Sequence, residues 1–204
     1  MDAGLSVIRL RHPEMVHQVI MCSSYFFSHL NLARQWPGER LSRWLSDLVQ
    51  DYKTIESTIE DIVFPLCDVD HWFMINISFR HRAIQLAEGL GWVPKLPVYE
   101  TISWFLKTHL NTQMDNWQRG MVRIDCPIQQ DGSSCGVIAL GRIEQLVSRA
   151  PYMSWIPHNA ARQRITWLQA CIEVHNGIFR SHVEIENDNL RYGAQVKVTC
   201  LIFE

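Results

Sequence analysis

Between Asp61 and Gly89 the chain changes from helical to strand chemistry, and this stretch constrains the fold more than any other. DIVFPL (Asp61–Leu66) and HWFMINISF (His71–Phe79) are dense in β-branched and aromatic residues and are parted by the polar turn Cys67-Asp68-Val69-Asp70. Arg80-His81-Arg82 is a second polar break, and a third short run from Arg82 to Leu86 ends at Ala87-Glu88-Gly89. Three short strands in succession point to an antiparallel meander.

Helical spacing brackets this centre. From Glu39 to Tyr52 the apolar residues Leu41, Trp44, Leu45, Leu48 and Val49 recur at i, i+3, i+4 and i+7, as in an amphipathic helix. A loop marked by Gly89, Gly91, Pro94 and Pro97 leads into Tyr99–Leu110, which returns to that period. His158–Val174 reads as another helix, with Ala161, Ile165, Leu168 and Ile172 on one face. Val16–Leu30 reads as core whatever its secondary structure, Trp36-Pro37-Gly38 as a turn, and Met121–Cys126 as a short strand. Met1–His17 is weakly patterned, with a short strand over Ser6–Leu10 halted by Pro13. Pro151–Pro157 is a loop, and His182–Glu186 and Gln195–Phe203 alternate around Tyr192-Gly193 as a β-hairpin. The expected architecture is α+β: a small, mostly antiparallel sheet flanked by helices, with a domain over residues 1–180 and a hairpin-like extension over 181–204.

Composition excludes several functions. A formal net charge of −2, with Lys and Arg scattered, gives no attraction to nucleic acid or to an anionic membrane. There is no apolar run of membrane-spanning length and no signal-peptide pattern, so the nucleus or cytoplasm is expected. The six cysteines are Cys22, Cys67, Cys126, Cys135, Cys171 and Cys200. They form no C-x-x-C pair and no zinc-finger spacing, so neither a metal nor another cofactor is expected, nor a disulfide framework; most read as core thiols.

One of them stands apart. In QQDGSSCGVIALGRIEQLV (Gln129–Val147) a polar loop runs into Cys135, and Val137, Ile138, Leu140, Ile143, Leu146 and Val147 then follow at roughly helical spacing. Cys135 thus opens a helix, with Ser133 and Ser134 as candidate N-caps. Unpaired N–H groups and the helix dipole there favour thiolate, although a cysteine at such a place is also a common core residue. A nucleophilic thiol needs a base and a group to orient it. His71 opens a strand, which holds its ring in place, and Glu88 ends the second strand after it. If the two strands pair, these side chains lie side by side at one end of the hairpin. Singly each reads as a solvated strand-end residue. Gln129, six residues before Cys135, is a candidate oxyanion donor beside the Cys135 N–H, within what is otherwise a polar loop.

The order DHWFMINIS, AIQLAEGL, DCPIQQDGSSCGV resembles the ubiquitin-like-protein (SUMO/sentrin-specific) cysteine proteases of clan CE, with their adenain-like, papain-related fold. Their motifs are a His-Trp opening a strand, an acidic residue ending the next, and P-Q-x-x-N-x-x-D-C-G at the nucleophile helix. Ser23-Ser24-Tyr25-Phe26-Phe27, Arg43-Trp44 and the helix from Asn159 to Cys171 resemble further family segments, so the likeness spans Cys22 to Val174. It implies Cys135 as nucleophile, His71 as general base, Glu88 as orienting carboxylate and Gln129 as oxyanion donor. It also implies Trp72, Gln130 and Ser134 in substrate binding, with Trp72 covering a narrow tunnel for a Gly-Gly C-terminus. The implied activity is a thiol isopeptidase or peptidase acting on SUMO or a related ubiquitin-like modifier and its conjugates.

Three features depart from the pattern. The acid is Glu88 where the SUMO proteases mostly carry Asp; a Glu here is what adenovirus protease and the clan's effector acetyltransferases look like. Ser134 stands where an Asp usually precedes the cysteine, and the upstream W-L-x-D segment has no match before Tyr25. Two alternatives follow: an effector-type acetyltransferase, or an inactive module that binds a ubiquitin-like protein.

Overall fold

The computed structural model describes residues 1–36, 42–149 and 161–176. A five-stranded sheet runs in chain order: β1 (Val19–Met21), β2 (Asp61–Asp68), β3 (His71–Ser78), β4 (Ala83–Ala87) and β5 (Met121–Arg123). The expected meander is its centre: β2 pairs antiparallel with β3 from Asp61↔Ser78 to Asp68↔His71, and β3 with β4 from Ser78↔Ala83 to Met74↔Ala87. Both edge pairs, β1 with β2 and β4 with β5, are parallel. Each is reached through helices, the connection a parallel pair requires, and the sheet is therefore mixed. Val69 and Asp70, both at positive φ (50° and 61°), turn the chain between β2 and β3, as a two-residue hairpin loop demands.

Among the described residues six helices accompany the sheet: α1 (Asp2–Arg11), α2 (Phe26–Gln35), α3 (Arg43–Ile55), α4 (Val98–His109), α5 (Cys135–Ser148) and α6 through 161–176; Pro13–His17 is a short 3-10 helix. Ser42 caps α3 by accepting the Leu45 N–H at 3.4 Å. On one face of the sheet Ile62, Phe64, Leu66, Phe73, Ile75, Ile77, Ile84 and Leu86 pack with residues of α2, α3 and α4, among them Phe26, Leu45 and Phe105. On the other, Val63, Met74 and Ala87 pack with Leu5 and Ile8 of α1 and Ala139, Leu140 and Ile143 of α5. Burial on both faces explains why β2 and β3 read as apolar runs rather than as alternation. Pro65, an awkward residue for an inner strand, lies beyond the end of β1, which pairs only along Asp61–Val63.

Several expectations are corrected. The strand expected over Ser6–Leu10 is part of α1: Leu5 and Ile8, one turn apart, are buried, and a Cβ on Gly4 would lie 2.6 Å from a methyl of Leu140. Close helix–helix packing outweighed a short alternating pattern. β5 ends at Arg123 rather than Cys126. Tyr25 faces solvent although the segment around it is core. Ile165, Leu168 and Ile172 of α6 are each more than half exposed, whereas Ala170 is buried and Trp167 packs under the Arg11 guanidinium, so α6 turns a different face inward. Cys67 is exposed rather than core, Cys126 and Cys171 are half-buried, and all five described cysteines are free thiols. Most of the Trp36-Pro37-Gly38 turn, the 151–157 loop and the hairpin expected over 182–203 lie outside the described residues.

Candidate active site

His71 is the first residue of β3, directly after the tight turn. The period of two puts its ring on the same face as Phe73 and Ile75. Phe73 meets it edge-on at 4.7 Å between ring centroids, and Trp92 leans on it at 4.9 Å. The ring is 3% exposed as a residue. Glu88 follows β4 and continues the face of Ile84 and Leu86, so the two site residues emerge on one side of the sheet at one end. Their approach is Nε2 to Oε2 at 3.6 Å, with the Glu88 side chain fully buried. That is an ion-pair distance but too long for a hydrogen bond, and His71 Nε2 is buried with no hydrogen-bond partner.

The bonds that fix Glu88 come from elsewhere. The Leu90 N–H donates to Oε2 at 2.6 Å, and Arg123 Nη1 donates to Oε1 at 2.7 Å. Arg123 Nη2 reaches on to the carbonyls of Gly91 and Trp92 at 2.8 and 2.7 Å. A buried carboxylate is tolerable only when paired and hydrogen-bonded, and these groups meet that need. Sequence reasoning missed Arg123, because a lone basic residue on a three-residue strand carries no pattern.

Cys135 begins α5 on the opposite face of the sheet, and it is buried. Ser134 holds the N-cap position, but its side chain makes no capping bond. The sequence-based N-cap expectation is corrected accordingly: Asp131 accepts the N–H groups of Ser133 (2.8 Å) and Ser134 (2.7 Å) and the Ser134 hydroxyl. These bonds, chiefly the one from the Ser134 hydroxyl, hold the Asp131 carboxyl below the usual range. The signal was present as Asp-Gly-Ser, a turn in which a carboxylate caps the N–H groups two and three residues on. Arg164 of α6 donates to the hydroxyls of Ser133 (2.7 Å) and Ser134 (3.0 Å).

Trp72 carries the thiol side of the site. A Cβ at Gly136 would stand 3.4 Å from its Cδ1, so the indole lies against the first turn of α5. Cys67 faces Trp72 across the β2–β3 register. Partial burial first, then the charges of Asp70, Cys135 and Asp68, push the Cys67 thiol up, which puts Cys67 and Cys135 within electrostatic reach. Among the described residues no hydrogen bond links Cys135 Sγ to His71. Catalytic hydrogen bonds are often loose before substrate binds.

Gln129 is 5% exposed; its amide N–H groups turn toward the Asp131 carbonyl, and its Oε1 is buried without a partner. Its backbone N–H donates to the Gly89 carbonyl at 2.8 Å. The acid's strand end is thus stitched to the loop before the nucleophile. Gln130 is exposed on that loop and Ser134 is fully buried. Among the described residues no cluster of His, Cys, Asp and Glu is arranged to hold a metal, and no helix is long and apolar enough to cross a membrane.

Residues 2–163 match the model of the Ulp1 protease family, C-terminal catalytic domain. Among solved structures, the chain is similar to the SUMO protease Ulp1 with its catalytic cysteine oxidised to a sulfenic acid: 19% identity, TM-score 0.63, covering 85% of this chain and 74% of that one. It is also similar to the C-terminal Ulp1 protease domain in complex with Smt3, the yeast orthologue of SUMO: 16% identity, TM-score 0.58, covering 84% and 76%. A third is the Chaetomium thermophilum Ulp1-like SUMO protease catalytic domain, at 18% identity and TM-score 0.53, covering 85% and 68%. Curated protein sequences yield no match.

Proposed function

From the membership of this chain in the Ulp1 protease family, and hence from its being a cysteine protease, we propose that it is an isopeptidase or peptidase. In this reading it cleaves after the C-terminal Gly-Gly of SUMO or a related ubiquitin-like modifier, within the nucleus or cytoplasm. The single observation that carries the reading is the buried His71–Glu88 pair at 3.6 Å, one residue from a tryptophan laid against the head of the Cys135 helix.

In this reading the roles are as follows. Nε2 of His71 faces Glu88, which leaves Nδ1 as the nitrogen that takes the Cys135 proton. The thiolate attacks the carbonyl carbon of the terminal glycine, and negative charge develops on its oxygen. The first N–H groups of α5 are free of side-chain caps, and with the Gln129 amide, turned from Asp131 toward the substrate, they receive that charge. His71 then gives its proton to the leaving amine, and water attacks the thioester to release the modifier and regenerate the thiol. Glu88 stabilises the imidazolium between the two transfers. Trp72 closes one wall of a slot narrow enough that only residues without side chains thread it, with the exposed Gln130 along its approach; Ser134, expected there from the sequence, is fully buried with its hydroxyl held by Asp131 and Arg164 and supports the loop instead. Ser134, which stands where the family carries an acid beside the cysteine, is itself held by the Asp131 carboxylate.

The test is a panel of propargylamide probes carrying SUMO, ubiquitin and NEDD8. A covalent adduct with one of them, lost in Cys135→Ala, is expected. No adduct with any probe, or an adduct that survives Cys135→Ala, overturns the proposal.

A further inference from the structure

We propose that Arg123 is the positioning residue of the catalytic base: one guanidinium holds both the carboxylate and the tryptophan that together fix the His71 ring. The inference rests on the protease reading above, in which His71 is the base.

Two of the groups that define the ring's place are Glu88, facing Nε2, and Trp92, against the ring itself. Neither is fixed by its own strand. Glu88 lies just past β4, and Trp92 sits in the loop after it, beyond Gly91 at φ 77°. Arg123 reaches both from β5, through Nη1 to the carboxylate and Nη2 to the Gly91 and Trp92 carbonyls. The planar fork of a guanidinium can serve these three acceptors at once; an ammonium cannot.

The charge matters as well as the geometry. Arg123 hydrogen-bonds Glu88 at 2.7 Å, whereas His71 approaches it only to an ion-pair distance of 3.6 Å. Glu88 therefore faces His71 with one carboxylate oxygen already paired to a cation. The charged and titratable groups at this end of the sheet are Glu88 at the end of β4, Asp68 across the β2–β3 rung, Asp70 in the turn, Cys67 beside Trp72, and Cys135 at the head of α5. Cys126, in the field of both Glu88 and Arg142, and Asp131 with Arg164 beside Ser134 lie near them, as does Lys95, whose N–H is bound by Asp68. Arg123 is the cation bonded to Glu88. It is reached by solvent, 47% exposed along its side chain, so its field is partly screened.

The readout is the pH dependence of Cys135 alkylation by iodoacetamide, followed on the Cys135 peptide by mass spectrometry. A Cys–His pair gives two inflections in rate, an acid limb where the thiolate–imidazolium pair forms and an alkaline limb where the imidazolium loses its proton and leaves a lone thiolate. Removing the cation disfavours the thiolate and favours the imidazolium, so both limbs move to higher pH. In Arg123→Gln both are expected to rise by about half a unit or more. In Arg123→Lys the charge remains, and both limbs stay within about 0.2 unit of the parent. The carbonyl tether is lost, and reaction with the modifier probe falls roughly five-fold or more.

Limbs unmoved in Arg123→Gln overturn the proposal, as do equal shifts in the two variants. If Arg123→Gln does not fold, Arg123→Lys decides alone: probe reaction equal to the parent's overturns the positioning role. Alkylation needs no modifier, so a parent that reacts with none of the probes refutes the proposed substrate while this test still reads out the His71–Cys135 pair.

Discussion

Gly89 is where a single methyl group should separate the strand end that carries Glu88 from the loop that leads into Cys135. It follows Glu88 directly, and its carbonyl accepts the Gln129 N–H at 2.8 Å. A Cβ here would lie 2.7 Å from the Pro127 carbonyl oxygen, 2.8 Å from Gln129 N and 2.9 Å from Gln129 Cβ. All three belong to the backbone or its first side-chain carbon, so no rotamer change relieves the clash. Ordinary contact begins near 3.4 Å, and the two loops must therefore part by about 0.7 Å. Overpacking of this kind costs about 1–3 kcal/mol. At roughly 2–4 °C per kcal/mol for a domain of this size, the melting temperature of Gly89→Ala should fall by about 2–12 °C. A shift approaching 1 Å at a catalytic group is worth up to ~100-fold in rate, so Cys135 reaction with the modifier probe should drop about ten-fold or more. The control is Gly141→Ala on α5, where a Cβ meets nothing within 4 Å; helix propensity predicts a gain of about 0.8 kcal/mol there. Melting by circular dichroism and probe kinetics measure both variants. If Gly89→Ala melts with or above the parent and labels within two-fold of it, the contact between the two loops does not hold the site together.

Three further outcomes follow from local physics. Burial pushes the Cys126 thiol from 9.0 up to about 12, so the unfolded chain loses this proton first; stability falls as pH rises from 9 toward 12, and urea denaturation should show a shallower alkaline decline for Cys126→Ala. The depressed Asp131 carboxyl has the opposite sign: its contribution is present above the ordinary carboxylate range and is lost as pH falls through its lowered value. Asp131→Asn should thus lose about 0.5–1 kcal/mol at neutral pH, with the loss fading in acid, as melting curves across pH will report. Val69, a β-branched residue at φ 50°, pays for a left-handed turn that asparagine adopts readily, so Val69→Asn should raise the melting temperature by about 1–3 °C.

Elements whose chemistry is local were legible in the chain. The three central strands, α3, α4 and the loop leading into Cys135 follow from turn residues and apolar period, and so does the nearness of His71 and Glu88, since two strands paired across a short turn must bring their far ends together. α1 and the inward face of α6 were not legible. Their orientation is set by Leu140 against Gly4 and by Trp167 against the second core, partners far away in sequence. Sequence by itself determined where the candidate groups stand: a thiol at a helix start, an imidazole at a strand start, a carboxylate at a strand end. Tertiary structure alone decided how they are held. Arg123 reaches Glu88 across 35 residues and Arg164 reaches Ser134 across 30. A buried charge takes whichever partner the packed chain brings within about 3 Å, and spacing along the sequence does not encode that distance.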